Sequence, residues 1–207
     1  MQQDALHQML EHVRLLPVIR TASAEAAVEL GRELMAAGLS FLEVSWTTPD
    51  AARAVEALRD AGATVGAGTI LDLGRAREAA AAGAEFLVAP TFAPEVGRWA
   101  EEQRLAYLPG VLTPEESLRA YQAGFRLQKL FPAATVGPGH LKAMQEVFGG
   151  VRYVPTGGIG WADAPTWIAA GAVAVGMGGA IRRGPHASIR ENLAAFRAAV
   201  AAAREAG

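Results

Sequence analysis

Residues 40–83 read SFLEVSWTTPDAARAVEALRDAGATVGAGTILDLGRAREAAAAG. Two units of one kind lie end to end in this stretch. An apolar run, Ser40–Ser45, passes through the helix-start signal Thr48-Pro49-Asp50 into an amphipathic stretch, Ala51–Ala61, closed by Gly62. A second run, Thr64–Gly68, leads into Leu73–Ala82 and is closed by Gly83. Strand, helix and glycine in repetition indicate parallel strands joined by helical crossovers.

Working outward, the same unit recurs over the whole chain. The other apolar runs are Leu15–Arg20, Glu85–Ala89, Ala106–Pro109, Arg126–Phe131, Arg152–Thr156 and Ala172–Gly176. Successive starts lie roughly 20–26 residues apart, enough for a strand, a helix and two short loops. The remaining helical patterns are Ala24–Ala37, Pro94–Glu102, Pro114–Ala123, Gly139–Phe148, Ala162–Ala170 and Ser188–Arg204, with an additional helix, Asp4–Arg14, before the first strand. Gly38, Gly62, Gly83, Gly124 and Gly171 each follow a helical stretch where a left-handed cap is expected. Eight such units predict a (β/α)8 TIM barrel with an extra N-terminal helix, residues 1–207 forming a single domain. The rival is a doubly wound open sheet, which usually opens on a G-x-G-x-x-G turn that is absent here.

Bulk properties narrow the function. A net charge of −2 and a pI near 6.1 give no electrostatic case for nucleic acid or an anionic membrane as partner. The chain contains no cysteine, which removes disulfides, thiolate metal sites and cysteine nucleophiles. The N-terminal residues show no signal-peptide pattern and no apolar run approaches the ~20 residues of a membrane span. A cytoplasmic location is the expectation. His7, His12, His140 and His186 fall in helices or late loops, away from strand ends, so no metal is expected.

Only two of 207 residues are lysine, against seventeen arginines. Lys142 sits in an amphipathic helical pattern and reads as solvated. Lys129 interrupts the apolar run Phe125-Arg126-Leu127-Gln128-Lys129-Leu130-Phe131-Pro132. A buried lysine can lose its proton and attack a carbonyl, as an arginine cannot. The bland reading is a strand-end lysine snorkelling to solvent. Glu43 is the second anomaly, because period two places it on one strand face with Phe41 and Ser45. Inside a barrel it needs a partner. Lys129 is a candidate, either in a structural ion pair or as a nucleophile beside a general acid/base. Catalytic groups of this fold gather at strand C-termini, where Arg20, Thr69, Pro90, Phe131 and Thr156 also lie. Phe131 is equally compatible with packing against substrate and with plain barrel core. The turns Thr156-Gly157-Gly158 and Gly176-Met177-Gly178-Gly179 place bare backbone N–H groups at the usual anion position of a barrel.

The stretches Phe41–Val44, Val65–Leu71, Lys129–Ala133 and Pro155–Ile159, taken together, resemble the class I aldolases acting on 2-keto-3-deoxy-6-phosphogluconate and 4-hydroxy-2-oxoglutarate. The resemblance runs from about Leu15 to Ile181. It implies that Lys129 forms an imine with pyruvate, that Glu43 transfers protons and that Thr69 lies in the substrate pocket. It also implies a small-molecule keto acid partner, no cofactor beyond the covalent lysine imine, and a homotrimer. Many members carry an arginine where this chain has Thr47, and related ones an arginine ending the first strand, so Arg20 is the expected carboxylate or phosphate clamp. Gly179 stands where a serine often contacts phosphate. This leaves open whether the aldehyde half is phosphorylated. Two other readings are a phosphate-binding barrel isomerase or synthase, with Glu43 as base and Lys129 as a cation, and an idle barrel that binds metabolites.

Overall fold

The computed structural model describes residues 1–205. The elements are α1 (Gln3–Val13), β1 (Leu15–Ile19), α2 (Ala24–Ala36), β2 (Phe41–Ser45), α3 (Ala51–Asp60), β3 (Thr64–Gly68), α4 (Leu73–Ala81), β4 (Phe86–Val88), α5 (Pro94–Glu102), β5 (Ala106–Leu108), β6 (Gly110–Val111), α6 (Pro114–Gln122), β7 (Leu127–Leu130), a 3-10 turn (Ala133–Thr135), α7 (Gly137–Val147), β8 (Arg152–Pro155), α8 (Ala164–Ala169), β9 (Val175–Met177) and α9 (Ile189–Glu205). All ladders are parallel, in the orders β5-β4-β3-β2-β1-β9 and β6-β7-β8. The chain runs from β5 into β6 through Pro109, and a Thr156–Gly176 bridge joins β8 to β9. The sheet therefore closes into a barrel of eight staves.

Most boundaries shift by one or two residues from the sequence reading, and two of the changes have a plain physical cause. The fifth stave continues past Pro109 to Val111, because Pro109 has no N–H to donate but its carbonyl still accepts from Lys129 N–H at 2.8 Å. The last strand is Val175–Met177 and not Ala172–Gly176, since Ala172 is spent closing α8 by donating to the Trp167 carbonyl.

Local chemistry accounts for the helix ends. Ser23 and Asp72 accept the backbone N–H of Ala26 and Arg75 at 3.2 and 2.9 Å, capping α2 and α4. Thr113 and Glu116 form a reciprocal capping box on α6, with Pro114 in its first turn. At the other end of α2, Gly38 (φ 95°) donates to the Met35 carbonyl and Leu39 to that of Leu34, the paired bonds of a Schellman turn. The same turn closes α3, α4, α6 and α8 at the other four glycines. Helix α3 starts where Thr48-Pro49-Asp50 predicts, but Asp50 is left-handed (φ 51°) and its side chain makes no cap bond.

Strand alternation sorts the residues into three groups. Outward residues such as Leu42, Val44 and Leu130 pack against the helices. Inward residues near strand N-termini, among them Leu16, Phe41, Phe86 and Leu127, fill the barrel together with Leu6 and Leu10 of α1. Phe41 and Phe86 stack at 4.8 Å between centroids. Helix α1 thus closes the N-terminal end. Continuing two residues at a time toward the C-terminal end, the inward series become polar: Phe41, Glu43, Ser45 on β2, and Leu127, Lys129 on β7.

Candidate active site

Strand β7 is locked in register by the residue beside Lys129. Gln128 points outward and is fully buried. Its amide donates to the carbonyls of Ser117 and Phe125 at 3.1 and 2.9 Å, and its oxygen accepts from the Ser117 hydroxyl at 2.7 Å. With Gln128 satisfied outside, Lys129 must face the barrel interior. There its Nζ lies 3.9 Å from Glu43 Oε1 and 5.4 Å from the Phe131 ring centroid. Both charged residues are buried, Lys129 at 6% and Glu43 at 1% exposure.

The distance of 3.9 Å decides what kind of pair this is. A fully closed ion pair is hydrogen-bonded at about 2.7–2.9 Å. Here the carboxylate stands off, and its second oxygen, Oε2, is buried with no hydrogen-bond partner among the described residues. Burial pushes the Glu43 carboxyl above its ordinary value of 4.5, opposed by the positive charges of Lys129 and Arg20. The group is placed to take a proton or give one up. It rests over Gly68, where a Cβ would collide with the carboxyl group, so this glycine makes its seat.

Arg20 follows β1, and its Nε donates to Ser45 Oγ at 3.4 Å. Ser45 is fully buried and also contacts the hydroxyls of Thr47 at 2.8 Å and Thr69 at 2.9 Å. Thr69 has φ 62°, a rare conformation for a β-branched residue that costs about 1–3 kcal/mol. Arg75 Nη1 holds its carbonyl at 3.3 Å.

A cleft of about 330 Å³ opens above this constellation, lined by Val18, Arg20, Lys129, Phe131, Thr156, Gly157, Gly158, Gly178 and Gly179. Among the described residues the amide N–H groups of Gly158, Gly178 and Gly179 donate to no turn or loop carbonyl, while Gly157 follows the Thr156–Gly176 bridge. Gly157 and Gly158 have φ of 97° and 76°, which favours glycine at both. The structure thus brings Arg20, Lys129, Phe131, Thr156 and the four glycines to one cavity, with Glu43 and Thr69 behind it. Pro90 lies outside that lining, and its backbone packs against Gly110, where no Cβ fits. Ser45, Gly68 and Arg75 are the groups that sequence reasoning left without a role. A glycine inside a strand was the signal available for Gly68.

Comparisons with known proteins identify the family of the chain. A family model described as "Aldolase: KDPG and KHG aldolase" matches residues 6–194. The chain belongs to the KDPG and KHG aldolase family. It is 38% identical over 157 residues to the 2-dehydro-3-deoxy-phosphogluconate aldolase of Treponema pallidum, covering 74% of this chain and 75% of that one. The crystal structure of 2-keto-3-deoxy-6-phosphogluconate aldolase from Zymomonas mobilis superimposes with a TM-score of 0.83 at 31% identity, covering 97% of each chain. The KDPG aldolase of Legionella pneumophila, solved with pyruvate captured at low pH as a covalent carbinolamine intermediate, gives 0.79 at 30% identity over 95% of this chain and 97% of that one. Aldolases are carbon–carbon lyases, and the fold and the enzyme class of this chain follow. Among the described residues no helix is long and apolar enough to cross a membrane.

Proposed function

We propose that this protein cleaves a 2-keto-4-hydroxy acid, 2-keto-3-deoxy-6-phosphogluconate or 4-hydroxy-2-oxoglutarate, to pyruvate and an aldehyde through an imine on Lys129. The observation that carries the reading is the stand-off pair of Lys129 and Glu43, buried below an open cleft, with Oε2 unpartnered among the described residues.

Neutral Lys129 adds to the C2 carbonyl, protonated Glu43 gives its proton to the departing oxygen, and loss of water leaves a protonated imine beside the Glu43 carboxylate. The Glu43 carboxylate takes the C4 hydroxyl proton. The C3–C4 bond electrons flow to the iminium nitrogen, and the aldehyde, glyceraldehyde 3-phosphate or glyoxylate, departs. Glu43 returns its proton to C3 of the enamine, and water hydrolyses the protonated imine to pyruvate and free amine, the released proton going back to the Glu43 carboxylate. A raised carboxyl pKa suits a group that must both take and give a proton. Arg20, which makes no ion pair among the described residues, holds the keto-acid carboxylate. The glycine amides of the 157–158 and 178–179 turns receive the distal end of the substrate. Phe131 keeps the amine dry. No metal or organic cofactor enters any step. By family resemblance the working unit is a homotrimer in the cytoplasm, acting on a small keto acid.

Trapping with pyruvate and cyanoborohydride, followed by peptide mass mapping, tests the assignment. A reduced pyruvyl adduct on Lys129 and not on exposed Lys142 is expected. A folded protein that forms no adduct would overturn the imine and leave a barrel that uses Lys129 only as a cation.

A further inference from the structure

We infer that Ser45 is a positioning residue of this site, its hydroxyl joining Arg20 and Thr69 into one receptor for the substrate carboxylate. The inference rests on the aldolase reading above and extends it to a residue that touches neither the lysine nor the cleft surface.

A serine hydroxyl has one proton to donate and two lone pairs to receive with. In this protein all three are committed to side chains at the C-terminal end of the barrel. The Arg20 Nε–H can only donate, so it takes one lone pair. Of the hydroxyls of Thr47 and Thr69, one accepts the Ser45 proton and the other donates to the remaining lone pair. Among the described residues the hydroxyl makes no bond to the backbone, so it does nothing for the ladder that β2 forms with β1 and β3. Of its three neighbours, Arg20 has no other anchor among the described residues and Thr69 is held against strain. Arg20 is an exposed side chain just past the end of β1, and Ser45 is its one hydrogen-bond partner among the described residues. Using Nε for this contact leaves both terminal amino groups of the guanidinium free to grip a carboxylate with two parallel bonds. Thr69 sits in a left-handed conformation unusual for its type, and such strain persists where the surroundings hold it. Ser45 holds its hydroxyl, Arg75 its carbonyl, and the next residue is tied to β4 by Ile70 N–H to the Val88 carbonyl at 3.1 Å. Full burial keeps water from replacing Ser45 in this role without rearrangement.

The inference is tested on the full-length protein with Ser45→Ala and two ketone probes, pyruvate and its uncharged analogue pyruvamide. The measured quantity is the ketone concentration that half-saturates cyanoborohydride trapping on Lys129. For pyruvate it should rise about tenfold, the usual size of one weakened charge-assisted contact, with pyruvamide changed by less than about threefold. In turnover the keto-acid KM should rise by a similar factor while kcat stays within about threefold. A folded variant with unchanged pyruvate saturation overturns the inference, as does an equal loss for both probes, which would mean general damage to the lysine site. If Ser45→Ala does not fold, Ser45→Cys, nearly isosteric and a weak hydrogen-bonder, is read in the same way. Absence of a wild-type adduct with either ketone would overturn the imine reading and this inference together. A wild-type adduct with an indifferent variant would overturn only the role of Ser45.

Discussion

A lysine that faces inward and an arginine in the same place differ in one chemical capacity. Lys129→Arg keeps the positive charge beside Glu43 but cannot form an imine. Turnover should fall by at least about 10³-fold while circular dichroism still reports the folded barrel. Substantial residual cleavage would refute the assignment. Glu43 makes a prediction about pH. Its carboxyl is raised above 4.5 in the folded protein, so the folded state keeps this proton over a range where the unfolded chain has lost it. Stability from this group is therefore greatest at low pH and declines as pH rises from about 4.5 through the folded value. Urea unfolding of wild type and Glu43→Gln between pH 4.5 and 7.5 should show the variant gaining on wild type as pH increases. A constant difference would mean that the carboxyl is not raised. Lys129 and Glu43 were legible in the sequence because a charge within an apolar strand is conspicuous. The Ser45, Thr47 and Thr69 network was not, since hydroxyl residues are ordinary in strands and the backbone twist at Thr69 has no signature in a threonine.

The helix-to-strand turns show how far element boundaries can be read from residue type. Five were marked by glycine, and all five close as Schellman turns. A sixth, after α5, makes the same bond, Leu105 N–H to the Ala100 carbonyl, but places Arg104 at φ 55° where the others have glycine. Nothing in the sequence announces it, because the bond is made by backbone and the residue tolerates the strain. Arg104→Gly should relieve about 0.5–1 kcal/mol, net of the added freedom of the unfolded chain, and raise Tm by about 2 °C in a chain of this size. No change would show that Arg104 is held by contacts that offset its backbone. Gly68 presents the opposite case, since a side chain there has no room beside Glu43. Gly68→Ala should displace the carboxyl group and slow exchange of the pyruvate methyl protons by about 10²-fold while Lys129 still forms its adduct. Exchange at the wild-type rate would mean that the position of the carboxylate is not critical.

On the scale of the molecule, the barrel is divided along its axis. The N-terminal part of the interior is filled with aliphatic and aromatic side chains, and α1 seals that end with Leu6 and Leu10, both fully buried. The polar groups occupy the C-terminal end. The helix was predicted from its own periodicity, but its function as a plug depends on which face of a closed sheet it meets, and that is a property of the assembled staves. A strand rises about 3.3 Å per residue, so Glu43 stands roughly 7 Å above Phe41, the stacked layer between plug and site. Closely packed interiors transmit strain, but removing a methyl cluster below that layer leaves the bonds of the upper layer unaltered. Leu10→Ala should therefore cost about 2–5 kcal/mol in urea unfolding through the cavity it leaves. The KM for the keto acid and kcat should both stay within about twofold at temperatures where the variant remains folded. A fall in kcat in step with the lost stability would show instead that the positions of Lys129 and Glu43 depend on packing at the far end of the barrel.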